Sequence, residues 1–326
     1  MTNRATVPPY LRGTWMGGAA AHALTAVPWV LGGFLIPALP VLLVLGFWRV
    51  AGVLLLLLLP QYGLPRASAP WPAFAQLLKD LNPRKFFARC ELRFDGGAVG
   101  AAQIEGERTM LAYHPHGMIC LGFSWNGVHA PERELRGRFT WLVVDVLLRL
   151  PFFGLVCRWC ANIRGASRES MTALMERGRN VALLPGGFEE ATICARGADR
   201  VWVRSRKGFV KFALRYGYRV HPVYSFGEAD GYSCLTLATR LRLWLCRFKV
   251  PAVAFFGWAP CPIFPRPSAE VVTVVGRALV FPTIANPSAG ELDEWHARYV
   301  TALEDLFDRH KGPCAGRGPE HKLELW

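Results

Sequence analysis

Thr109-Met110-Leu111-Ala112-Tyr113-His114-Pro115-His116-Gly117 joins an apolar run to two imidazoles one residue apart. The run from Arg108 to Tyr113 predicts a strand. Pro115 fixes its own φ and disfavours helix at His114, so the chain turns there. Gly117 permits close approach of a ligand or an unusual backbone angle. A strand end projects side chains into the crevice where open α/β sheets bind ligands. A histidine held at such a turn can act as a general base near neutral pH.

Working outward, Val181 to Leu184 reads as a buried strand that ends at Pro185-Gly186-Gly187. Ser167 to Arg177 and Ser205 to Tyr216 read as helices, and Arg219 to Ser225 as another strand. The apolar stretch Phe139 to Leu150 predicts a helix. Glu270 to Val275 and Ala278 to Phe281 read as late strands. Ser288 and Glu291 form a capping box ahead of Leu292, Trp295, Tyr299, Leu303 and Leu306 at helical spacing. Strands alternating with helices predict an α/β sheet.

Upstream of this pattern the chain changes character. Of its 326 residues 52% are hydrophobic, and the excess is concentrated before residue 60. From Leu24 to Leu59 the only ionisable residue is Arg49. A spanning helix needs about 20 apolar residues. The stretch accommodates two helices, Trp15 to Ile36 and Val41 to Leu59, broken around Pro37-Ala38-Leu39-Pro40. Arg4 and Arg12 precede it, and Arg66, Lys79, Arg84 and Lys85 follow it, so both flanks are expected to be cytosolic. That is the charge pattern of a membrane hairpin. The apolar region starts late and is too long for a signal peptide. The expected organisation is a tail (1–14), a membrane hairpin (15–59), a linker (60–79) and a catalytic domain (80–326).

The formal net charge is +14, which suits a polyanionic partner. No zinc-finger spacing, RNA-recognition motif or long basic helix supports nucleic acid. Anionic lipid and a phosphate-bearing cofactor remain. The nine cysteines lack a disulfide rhythm, and Cys157-Arg158-Trp159-Cys160 has no second pair at zinc spacing, so reduced thiols are expected.

Three further constellations bear chemistry. Gly186 and Gly187 free backbone N–H groups to approach an anion or a developing oxyanion, and Glu190 behind them could orient an imidazole or polarise a hydroxyl. Arg206 and Lys207 stand at the opening of a helix, a combination that suits phosphate. Glu228 follows the strand end Tyr224-Ser225-Phe226-Gly227. The two histidines admit two readings, a general base acting on a hydroxyl or a pair of metal ligands. His221 and Asp230 could be drafted for the second, though no spacing singles them out.

Taken together these segments closely resemble the type-2 diacylglycerol acyltransferase family, which includes monoacylglycerol and wax-alcohol acyltransferases. The resemblance rests on Tyr113 to Gly117, Pro185-Gly186-Gly187 with Glu190, Arg206 to Lys211, and Pro222 to Glu228. It continues through Val274-Val275-Gly276 and Leu306-Phe307 with Lys311, in order, from about residue 80 onward. It implies a glycerolipid-acyltransferase-like mixed sheet with flanking helices, behind an N-terminal membrane helical hairpin.

The resemblance also implies acyl transfer from acyl-CoA to a lipid hydroxyl, at the endoplasmic reticulum membrane and lipid droplets, with the catalytic domain cytosolic. His116 would be the base and His114 its partner in the motif, with Pro115 and Gly117 beside the substrate. Gly186 and Gly187 would face the oxyanion, Arg206 and Lys207 the CoA phosphates, and Glu228 would complete the substrate site. No metal or cofactor is expected beyond the acyl-CoA co-substrate. Diacylglycerol is the expected acceptor, monoacylglycerol or a fatty alcohol the alternative, and a homo-oligomer is left open.

Two departures matter. Phe188 stands where the family usually has a small residue. Related glycerolipid acyltransferases use His-x4-Asp, but after His116 the next residues include Cys120 four on and Leu121 five on, and no Asp. The role of orienting that imidazole is therefore assigned to Glu190. The competing readings are a membrane-anchored metal-dependent hydrolase and a non-catalytic lipid-binding protein.

Overall fold

The computed structural model describes residues 12–63, 69–102, 104, 106–131, 134–135, 139–160, 162–248 and 253–326. Most of the expected N-terminal tail, including Arg4, and residues 64–68 of the expected linker lie outside the described residues. The chain divides into two compact units. One comprises residues 1–86 and 143–165, the other 87–142 and 166–326.

The first unit is built on two apolar helices, Trp15–Val44 and Trp48–Gly63. The break falls at Leu45-Gly46-Phe47, later than expected, and Pro28, Pro37 and Pro40 lie inside the first helix. Gly46 supplies the turn at φ +80°. The first helix has 30 residues, about 45 Å at 1.5 Å per residue. It is long and apolar enough to cross a membrane. Phe34 and Val44 are exposed along it, and Arg49 is exposed in the first turn of the second helix.

At the N-terminal end of the first helix, a Cβ on Gly18 would lie 2.6 Å from the Phe86 backbone nitrogen. Glycine is required for that approach. Pro72–Leu81 forms a helix, with proline in its first turn, across the end of the stretch expected to be a linker. Its Phe74, Leu78 and Leu81 pack with Ala21 and Val156.

In the second unit a mixed sheet has the order Arg89–Phe94, Glu270–Val275, Arg219–Phe226, Thr109–His114, Asn180–Leu183, Phe139–Val143. Neighbours in this order are parallel except Glu270–Val275 against Arg219–Phe226, and Leu279–Val280 also pairs antiparallel with Arg219–Phe226. Thr109–His114 lies inside the sheet and is buried along its whole length, as its unbroken apolar run requires. Met110 pairs with Val181 on one side and Val220 on the other.

The expected helix Phe139 to Leu150 is instead a strand, Phe139–Val143, followed by a short helix, Asp145–Arg149. Strand pairing with Asn180–Leu183 claims its first residues, and an apolar run of that length does not by itself distinguish the two states.

The helices follow their capping signals. Ser167 Oγ accepts from Ser170 N–H ahead of Arg168–Glu176. Gly217, at φ +62°, ends Gly208–Tyr216. Ser288 and Glu291 complete the expected capping box of Ala289–Ala315. Tyr299, Leu303, Leu306 and Phe307 of that helix join Val220, Tyr224 and Phe226 in the main core. Each such side chain, fully buried, contributes about 1.5–3 kcal/mol.

Candidate active site

The strands Thr109–His114 and Asn180–Leu183 are parallel neighbours, so the segments after them leave the sheet at the same end. Register therefore brings the two motifs together. Ala112 stands opposite Leu183, His114 two residues on, and Gly186 three residues on. The helix Gly187–Ile193 then carries Glu190 back beneath the histidine turn.

Glu190 is the centre of the arrangement and is buried. Both of its carboxylate oxygens lie 3.1 Å from His114 Nδ1. One oxygen also accepts the His116 backbone N–H at 2.6 Å, and the other accepts the Trp202 backbone N–H at 2.7 Å. A carboxylate can only accept, so His114 carries its proton on Nδ1. The expectation that Glu190 orients the His116 imidazole is thereby corrected. Its carboxylate holds the ring of His114 and only the backbone of His116.

His114 is wholly buried, and its Nε2 has no hydrogen-bond partner among the described residues. His116 is only partly buried, and its Nδ1 lies 3.0 Å from Gly117 O. A carbonyl oxygen cannot donate, so the proton sits on Nδ1 and Nε2 is the basic nitrogen. Burial lowers the His116 pKa below the ordinary histidine value, against smaller opposing effects of the Gly117 carbonyl and Glu190. Cys120 Sγ touches the ring, 3.4 Å from Nδ1 and 3.5 Å from Nε2. Burial, with Glu228 and Glu190 nearby, pushes the Cys120 pKa well up, so it is a neutral thiol.

The turn between the histidines is tightly constrained. The His114–Pro115 peptide bond is cis, and Pro115 is buried. Gly117 sits at φ +59°, and a Cβ there would come within 2.4 Å of the Glu228 side chain. Glu228 is buried, and its two oxygens accept the Leu121 and Gly122 N–H groups at 2.7 Å each. It braces the chain after the histidine turn. Its expected contact with substrate therefore meets oxygens already engaged by backbone. Burial raises its pKa to about 8 despite those two donors.

Gly186 is equally constrained, since a Cβ there would lie 2.0 Å from Glu190 Oε2. Gly187 takes φ +58°. Arg206 ion-pairs with Glu189 and donates to Gly186 O at 3.3 Å. Lys207 Nζ is 2.5 Å from Asp293. Both cations expected to meet phosphate already hold carboxylates, which a phosphate would have to displace.

His221 and Asp230 stand apart from the pair. His221 Nδ1 lies 2.8 Å from Gly276 O, with burial lowering its pKa to about 4, and Asp230 faces Arg317. Among the described residues no three His, Cys, Asp or Glu side chains gather as a metal-holding group.

Sequence reading missed Trp202 entirely. Its contribution is a backbone N–H, which no side-chain motif reveals. The loop that presents it is held by Glu324–Leu325, paired in parallel with Arg200–Val201. Trp326 N–H donates to Val201 O, and Trp326 O accepts from the N–H groups of Val203 and Arg204.

The family model described as diacylglycerol acyltransferase matches residues 99–325, a span that contains this whole arrangement. The chain belongs to the diacylglycerol acyltransferase family. Human 2-acylglycerol O-acyltransferase 3 is 31% identical over 66% of this chain and 68% of its own length. Zebrafish (Danio rerio) diacylglycerol O-acyltransferase 2 is 31% identical over 62% of this chain and 60% of its own. The human protein of that name is 29% identical, and the match covers 56% of it. The chain thus spans about three fifths of the length of the diacylglycerol relatives it matches. A solved structure, that of the 1-acyl-sn-glycerophosphate acyltransferase PlsC of Thermotoga maritima, aligns over 90% of this chain and 94% of its own with 14% identity and a TM-score of 0.40.

Proposed function

We propose that this chain is an acyl-CoA-dependent O-acyltransferase that esterifies a lipid hydroxyl, with diacylglycerol as acceptor and triacylglycerol as product. The observation that carries the reading is Glu190, whose one carboxylate holds the His114 ring, the His116 backbone and the Trp202 backbone together. Family membership supplies the reaction class.

In this reading His116 is the general base. It is the more exposed of the two imidazoles, its Nδ1–H is taken by Gly117 O, and its lowered pKa keeps it neutral and able to accept a proton at pH 7. His116 Nε2 takes the acceptor hydroxyl proton as the oxygen bonds to the thioester carbonyl carbon. The tetrahedral oxyanion collapses, the C–S bond breaks, and the thiolate of CoA leaves with a proton returned from His116. The His114–Glu190 pair positions the turn. Backbone N–H groups at Gly186 and Gly187 stabilise the oxyanion. Arg206 and Lys207 exchange their carboxylate partners for CoA phosphates. The apolar N-terminal helices hold the enzyme in the endoplasmic reticulum membrane with this site on the cytosolic side, and on lipid droplets.

A second reading of the same site has one observation in its favour. Among the described residues His114 Nε2 has no hydrogen-bond partner while its Nδ1 is fixed by a carboxylate, which is how an oriented base is held. There His114 takes the proton after substrate opens the turn.

The test supplies labelled oleoyl-CoA to membranes containing the protein, with diacylglycerol, monoacylglycerol or fatty alcohol, beside His116→Ala and His114→Ala. Triacylglycerol from the wild type, abolished by His116→Ala, is the expected result. Turnover that survives His116→Ala and not His114→Ala moves the base to His114. No ester from any acceptor by well-expressed protein rejects the enzyme reading.

A further inference from the structure

The helix Thr239–Cys246 has two unlike faces. Inward, Cys246 Sγ lies 3.1 Å from Thr192 Oγ1, and buried Arg242 donates to Leu235 O. Thr192 belongs to the helix that carries Glu190. The Thr239–Cys246 helix is thus the layer laid directly on the Glu190 helix.

Outward, the helix is apolar, and nothing among the described residues covers it. Leu241, Trp244 and Phe248 follow at helical spacing, with Leu237 just ahead, and they are 58%, 48%, 62% and 74% exposed. The Trp244 and Phe248 rings meet edge to face at 4.9 Å, so they present one continuous aromatic surface. Arg240 and Arg247, seven residues apart, border that face and are exposed.

We propose that this face is a membrane-contact surface, seated in the headgroup region of an anionic bilayer. A helix with large apolar and tryptophan side chains outward and arginines at its border matches that boundary on both counts. The apolar residues reach the acyl boundary and the guanidinium groups meet phosphate, in a protein whose net charge is +14. A second copy of this chain is a poorer occupant. Two-fold pairing would set Arg240 and Arg247 against the same face carrying the same two cations. The proposal rests on the lipid-acyltransferase reading for its consequence, which is that the lipid acceptor enters past this helix, beside the Glu190 helix.

The full-length protein is reconstituted in phosphatidylcholine–phosphatidylserine vesicles carrying a trace of diazirine-tailed phosphatidylcholine, irradiated, and mapped by mass spectrometry. Adducts are expected on residues 237–248 as well as on Trp15–Val44. The double variant Leu241→Asp, Trp244→Asp should lose the first set and keep the second. It should also raise the half-saturating diacylglycerol several-fold at unchanged KM for acyl-CoA. Arg240→Ser with Arg247→Ser should lower labelling of 237–248 in anionic vesicles and not in neutral ones. Adducts confined to residues 15–63 would overturn the proposal, and so would protein–protein crosslinks through 237–248. Labelling does not depend on turnover. Labelled 237–248 in a protein that transfers no acyl group would sink the enzyme reading and leave the surface standing.

Discussion

Trp202 and Glu190 lie twelve residues apart, and the Trp202 backbone N–H donates to Glu190 Oε2 at 2.7 Å. With the His116 N–H on the other oxygen and His114 Nδ1 between them, one buried carboxylate ties three chain segments to one point. An arrangement of this kind fails as a unit, because a vacated donor is left unsatisfied in a buried place.

Glu190→Gln tests the unit with the shape preserved. An amide has one accepting oxygen and an NH2 that would face an N–H donor. Turnover should fall by ~10²-fold or more, the scale of a misplaced acid–base group. The measurement is the single-turnover rate at saturating acyl-CoA. A rate within two-fold of wild type would detach Glu190 from the chemistry.

Gly186→Ala asks whether the glycine serves the carboxylate. The added methyl would meet Glu190 Oε2 at 2.0 Å, so the carboxylate must move. The cost in stability should be about 1–3 kcal/mol, as for other over-packed sites. The rate should fall as far as in Glu190→Gln. Combining both substitutions should add little, and full additivity would mean that Gly186 acts elsewhere.

With His116 as the proposed base, its pKa sets the expected pH dependence of turnover. Burial lowers its pKa, so the neutral base persists below the ordinary histidine value of 6.5. Activity should stay flat from pH 8 to below pH 6.5 and be lost only as His116 takes up a proton at more acid pH. A kcat profile whose acid limb lies above pH 6.5 contradicts the assignment.

Glu228 gives a stability signature with the opposite trend. Its folded pKa is raised to about 8 from 4.5. The folded state holds a proton that the unfolded chain releases, so this stabilisation is complete below about pH 4.5 and lost as pH rises through about 8. Thermal unfolding in detergent should show the advantage of wild type over Glu228→Gln shrinking across that window. A constant difference would mean that the carboxyl is ionised throughout.

The strand Glu324–Leu325 holds the loop that presents Trp202, and in the proposed reading it acts on the rate through that residue. Trp326→Pro removes the N–H that bonds Val201 O at 2.9 Å, a loss of about 1 kcal/mol in stability. kcat should drop several-fold with KM for acyl-CoA unchanged, and Trp326→Phe should restore it. A change in KM alone would mean that this segment serves binding rather than the Trp202 donor.

Much of this was legible in the residues, for reasons of pattern. Thr109–His114 is an unbroken apolar run because it is buried on both faces, and Ser288 with Glu291 announces a helix because capping is local. Phe139–Val143 was misread because an apolar run of that length suits either state until a neighbouring strand claims it. The helix break among Pro37 and Pro40 was misplaced. Each proline removes one backbone donor, yet the helix runs through Pro37 and Pro40 to Val44.

The residues alone determined which groups are available: two imidazoles at a strand end, a glycine pair ahead of an acid, and an apolar segment long enough for a bilayer. Only the tertiary structure decided that Glu190 grips His114 rather than the ring of His116, and that Arg206 and Lys207 already hold carboxylates. It alone decided that a backbone N–H at Trp202 completes the site. Local sequence specifies conformation over a few residues. Pairing across 76 positions, from His114 to Glu190, depends on strand register and on which buried donor finds which acceptor.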